Sequence, residues 1–115
     1  MVDGQGGLAG RRCSACVGGV EALKGAALEG LVLELGGGWE VVEGKKLVRG
    51  FKFKNFAEAL AFVDRVGAIA EAEGHHPDIC FGWGRAEVDI WTHKIGGLSE
   101  ADFILAAKIS KVYEG

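Results

Sequence analysis

The chain has 115 residues, 49% hydrophobic and 25% charged, which fits one compact domain and excludes a disordered chain or a multidomain enzyme. Its formal charge of −3 is opposite in sign to the basic footprint that a phosphate backbone demands, so direct nucleic-acid binding is not expected. No apolar run reaches membrane-span length, and the first residues carry no basic stretch leading into an apolar one, so a cytoplasmic setting away from membranes is expected.

Residues 1–19 mix glycine, Arg11, Arg12 and a Cys13-x-x-Cys16 pair without periodicity and read as a flexible or loosely docked lead-in to a domain spanning 20–115. Eleven of the 20 glycines fall in the first 38 residues. From Glu21 to Leu35 the apolar residues Leu23, Ala26, Ala27, Leu31 and Leu35 share one helical face, and Gly36-Gly37-Gly38 stops the helix. Trp39 to Val42 and Leu47 to Lys54 read as two strands, with Phe51 and Phe53 facing inward between Lys52 and Lys54. Asn55, with Glu58 three residues on, opens a helix carrying Phe56, Leu60, Val63, Val66 and Ile69 that should close at Gly74. Ile79 to Trp83 and Arg85 to His93 form a second strand pair, in which Ala86, Val88, Ile90 and Thr92 share one face and Glu87, Asp89, Trp91 and His93 the other. Ser99 and Asp102 start a last helix through Phe103, Leu105, Ile109 and Val112. The order α-β-β-α-β-β-α predicts an α+β sandwich of two layers, a four-stranded antiparallel sheet with three helices on one face.

All three histidines, His75, His76 and His93, fall within 19 residues, two at a helix end and one at a strand end. Imidazole exchanges protons near neutrality, so a cluster of them suits acid/base chemistry, while helix-terminal histidines are also favoured simply by the helix dipole. Glu71, one turn before His75, has two roles open to it, a hydrogen bond that steadies His75 or a solvated surface position. Asp102 has a sufficient structural role as a cap. Cys13 and Cys16 with His75 and His76 are zinc-compatible in type, but adjacent histidines rarely share one tetrahedral ion and no second CxxC exists, so no metal is expected. Three cysteines in a chain that buries roughly two thirds of its surface do not suggest a disulfide framework, and Cys80 in a strand reads as a small buried hydrophobe. Gly36-Gly37-Gly38 precedes a strand, so it is no phosphate cradle.

The stretch Glu71-Ala72-Glu73-Gly74-His75-His76-Pro77-Asp78, then Trp83, Thr92-His93 and Gly97-Leu98-Ser99-Glu100-Ala101-Asp102, resembles the signature of the pterin-4a-carbinolamine dehydratases. The likeness extends upstream through Phe51 to Phe56 and Trp39, covering roughly residues 28–112. It implies a lyase without metal or cofactor that removes water from a 4a-hydroxytetrahydropterin to give the quinonoid dihydropterin, as in recycling of tetrahydrobiopterin-type cofactors. It also implies a similar α+β fold assembled into homodimers or homotetramers. Carried over by motif position, His75 and His76 are the acid/base pair and His93 holds or polarises the leaving hydroxyl. Glu71, Pro77, Asp78 and Asp102 support them, and Trp39 or Trp83 lines the pterin pocket. Pro77, the sole proline, biases His76 to an extended backbone. Lys94-Ile95 departs from the small or acidic residues usual there, and bulky Trp91 either narrows the site or serves a subunit interface. Relatives of the fold also act as dimerisation cofactors or assembly factors without catalysis, or are linked to molybdopterin metabolism, which keeps a non-catalytic role as the alternative.

Overall fold

The computed structural model describes residues 7–11 and 22–115. Within these lie α1 (Gly25–Leu35), β1 (Glu40–Val42), β2 (Lys46–Lys52), α2 (Phe56–Glu73), β3 (Asp78–Gly82), β4 (Arg85–Ile90) and α3 (Glu100–Glu114), with short 3-10 turns at Leu8–Gly10 and His93–Ile95. The four strands form one antiparallel sheet in the order β1-β2-β4-β3. This is the α+β architecture expected from the α-β-β-α-β-β-α pattern.

Period-two alternation decides what the sheet buries. Leu47 and Phe51 from β2 and Ala86, Val88 and Ile90 from β4 turn inward, where they meet Phe62 and Val66 of α2 and Leu105 and Ile109 of α3. The same alternation sends Cys80 outward between Ile79 and Phe81, so this thiol is exposed and not the buried hydrophobe its strand position suggested. Cys13 and Cys16 lie outside the described residues.

Three boundaries differ from the sequence pattern by two or more residues, each because of a backbone hydrogen bond. The first helix begins at Gly25, later than its apolar face predicts, because the Leu23 N–H is donated to the Leu98 carbonyl at 2.8 Å and holds the preceding chain extended. β2 ends at Lys52, where the Phe53 N–H turns to the Gly84 carbonyl at 2.9 Å. The strand expected to reach His93 stops at Ile90, since Thr92 pairs with Gly97 across a tight loop that winds His93 into a 3-10 turn.

The described part of the lead-in is docked. Leu8 is buried, Lys108 on α3 donates to the Ala9 carbonyl at 2.7 Å, and Arg11 pairs with Glu34 of α1 and Glu100 of α3. Truncating the buried leucine by Leu8→Ala should lower unfolding free energy by about 2 kcal/mol, read as a shifted urea midpoint with unchanged slope. An unchanged midpoint would mean that the segment adds nothing to the fold.

Candidate active site

The helix α2 is started and stopped by its own sequence. The Asn55 side chain accepts the Glu58 N–H at 2.9 Å, and Gly74 takes the left-handed conformation at φ 64°. The Gly74 N–H is then donated to the Glu71 carbonyl and the His75 N–H to the Ala70 carbonyl, a Schellman closure. That closure folds His75 back under the helix end, while His76, ahead of Pro77, stays in solvent.

The buried member of this pair meets α3. His75 Nε2 lies 2.6 Å from Asp102 Oδ1, and Asp102 is fully buried. The other carboxylate oxygen accepts the Thr92 hydroxyl at 2.7 Å and the Ser99 backbone N–H at 2.8 Å, the latter half of a capping box. Donors thus converge on both oxygens, as suits an ionised carboxylate, which only accepts. A charge carried at such depth is tolerable because its lone pairs are engaged by hydrogen bonds. With its Nε2 proton directed at Asp102, neutral His75 keeps its lone pair on Nδ1.

The exposed member repeats the pattern in water. Here His76 Nε2 lies 2.6 Å from Glu71 Oε2, so Glu71 serves His76 and not His75, the residue one turn away that it was expected to steady. Both adjacent histidines therefore hold a carboxylate on Nε2.

His93 completes the set. Its ring stands edge-to-face against Trp91, with centroids 4.3 Å apart and an interplanar angle of 74°. A depression of about 240 Å³ is lined by two segments, residues 74–76 and 91–94, and so brings together all three histidines. A larger hollow of about 610 Å³ by Phe53, Phe62 and Tyr113 has no histidine.

The remaining candidates are dispersed. Trp39 sits in the core, its Nε1–H donated to Ser110 Oγ at 2.8 Å, which ties it to the second half of α3, roughly 12 Å along the helix axis from Asp102 at 1.5 Å per residue. Trp83 is 72% exposed at the β3–β4 turn. Neither lines the depression. Pro77 borders His76, and Asp78 is exposed at the start of β3. Trp91, which motif reading left open between the site and a subunit interface, lines the depression together with Lys94, and Thr92 is the contributor to which motif reading gave no role. Thr92 carried a signal nonetheless, as a hydroxyl at an inward position of an otherwise apolar strand face, where a polar group needs a partner.

Comparison with known proteins places the chain among relatives of one family. The family model described as pterin 4 alpha carbinolamine dehydratase matches residues 21–112. A Rubrobacter xylanophilus protein provisionally named a pterin-4-alpha-carbinolamine dehydratase is 57% identical over 105 residues, covering 91% of this chain and 97% of its own. A Rickettsia canadensis protein with the same provisional name is 48% identical over 99 residues, covering 86% of this chain and 91% of its own. Among solved structures, a transcriptional coactivator/pterin dehydratase from Brucella melitensis superposes with a TM-score of 0.74 at 30% identity, over 81% of this chain and 99% of that one. A pterin dehydratase-like protein described as a RuBisCO assembly factor in the alpha-carboxysome gives 0.58 at 25% identity, over 69% and 93%. The chain belongs to the pterin-4-alpha-carbinolamine dehydratase family.

Proposed function

We propose that the chain is a hydro-lyase that converts a 4a-hydroxytetrahydropterin to the quinonoid dihydropterin and water, serving a tetrahydrobiopterin-type cofactor cycle. The observation that carries this reading is the convergence of His75, His76 and His93 on one depression, two of them with a carboxylate on Nε2.

In the dehydration the C4a–O bond breaks and the hydroxyl leaves as water with a proton supplied by an acid. The N5–H proton passes to a base, and its bonding pair forms the N5=C4a double bond. Imidazoles suit both tasks near neutral pH. His75, oriented by Asp102, offers Nδ1 as the base, and His76, open to solvent for reprotonation, serves as the acid. His93, at the other segment of the rim, holds the departing hydroxyl. The chain's own side chains supply every proton transfer this scheme requires.

A direct assay tests the reading, following quinonoid dihydropterin formation from a freshly generated 4a-carbinolamine. The expected result is acceleration well above the spontaneous rate, and its absence overturns the proposal. A second reading, a partner-binding role without turnover, draws on the coactivator and assembly-factor descriptions of the two solved relatives. It requires the same assay to stay at the spontaneous rate.

A further inference from the structure

The acid/base scheme leaves one wall of the depression without a role. Trp91 lines it together with the three histidines, Thr92 and Lys94. Its indole also closes a second hollow of about 210 Å³, shared with Val42, Lys45 and Lys46. The side chain is half-buried at the edge of the core. It is held from two directions, with the His93 ring T-shaped against it at 4.3 Å between centroids and the Lys46 ammonium 5.7 Å from its ring centroid. Lys46 is itself anchored 3.3 Å from Asp89 Oδ2. Neighbouring Glu87 is held above its ordinary carboxyl range by a side-chain hydrogen bond to Asp89 and, after it, by repulsion from the Asp89 charge. An ammonium drawn to that acidic strand face is thereby stationed over the indole.

A large flat side chain fixed at the mouth of a small pocket is suited to stacking, which favours planar aromatic ligands whatever their edge pattern. We infer that Trp91 is the platform on which the bicyclic head of the pterin lies, with Lys46 as the positioning residue that fixes the indole. This rests on the dehydratase reading of the same pocket. The chemistry gives the platform a purpose. C4a of the carbinolamine is tetrahedral, so its hydroxyl stands out of the ring plane. A wall that takes one face of the pterin sets that plane and leaves the other face to the histidines at the end of α2. His93, at 74° to the indole, stands almost perpendicular to a ring stacked on it and so reaches out of the plane, where the hydroxyl is.

Calorimetric titration with 7,8-dihydrobiopterin and steady-state kinetics test the assignment. Trp91→Ala should raise Kd and KM about tenfold with kcat within about threefold, and Trp91→Phe should recover most of the loss. Lys46→Met should raise KM less, with Lys46→Arg restoring it. The wild-type protein gives a reading independent of any variant. Its three tryptophans carry three indole N–H groups for NMR to follow, and the resonance absent from Trp91→Phe should shift on adding 7,8-dihydrobiopterin while those of Trp39 and Trp83 stay in place. If the imidazole resonances move but the Trp91 signal does not, or if Kd is unchanged in Trp91→Ala, the platform is overturned and the dehydratase reading stands. If no resonance moves and no turnover occurs, both fall.

Discussion

Asp102→Asn should lower kcat by about 10²-fold or more while leaving the protein folded. The amide is the same size as the carboxylate it replaces. Its carbonyl oxygen can take the position of Oδ2 and keep accepting the Thr92 hydroxyl and the Ser99 N–H, which preserves the capping box. The amide NH2 then faces His75 Nε2 at the position of Oδ1, where an ionised carboxylate had accepted a hydrogen bond. Two donors cannot share that hydrogen bond, so the imidazole shifts to the tautomer with its proton on Nδ1 and loses its basic lone pair on that nitrogen. Steady-state kinetics with circular dichroism and a thermal melt separate the outcomes. A rate near wild type would show that the His75 tautomer is irrelevant to turnover. By contrast, Asp102→Ala strands several buried donors at once and should cost about 3 kcal/mol of stability, so it reports on the fold more than on the chemistry.

His76→Ala should cost about 10²-fold or more in kcat with almost no change in thermal midpoint. The side chain is exposed and its partner Glu71 is exposed as well, so little stability is lost with it. This combination distinguishes a proton-transfer group from a histidine placed only to suit the helix dipole, for which the rate would not move. His75→Ala should lose activity to a similar degree but also melt earlier, because it leaves buried Asp102 short of a donor. Equal rates in wild type and both variants would remove the histidines from the mechanism.

Much of this was legible in the chain itself. The alternation of Phe51 and Phe53 with lysines, the Asn55 and Ser99 starts and the Gly74 stop are local rules, and local rules place elements and the faces they bury. The three histidines were legible as a cluster because Gly74 and the turn after β4 bring chain neighbours to a rim. Which carboxylate serves which histidine was not. Glu71 lies four residues from His75 and five from His76, and helical spacing alone favours the former. The Schellman closure reverses that preference by turning His75 beneath the helix, where it meets the long-range partner Asp102. Tryptophan placement was equally hidden, since a tryptophan near a motif in sequence can be core, turn or wall. Trp39, Trp83 and Trp91 occupy one of each.

The adjacent histidines also differ in what surrounds their carboxylate partners, one pair dry and the other wet. Mobile ions reach the Glu71–His76 pair and screen it within a Debye length of about 8 Å at physiological ionic strength, whereas the Asp102–His75 pair lies where dissolved salt has little influence. Added salt is therefore a dial that acts on one partner alone. A rate that falls as sodium chloride rises in wild type, yet no longer responds in Glu71→Gln, would trace that sensitivity to the solvent-facing imidazole.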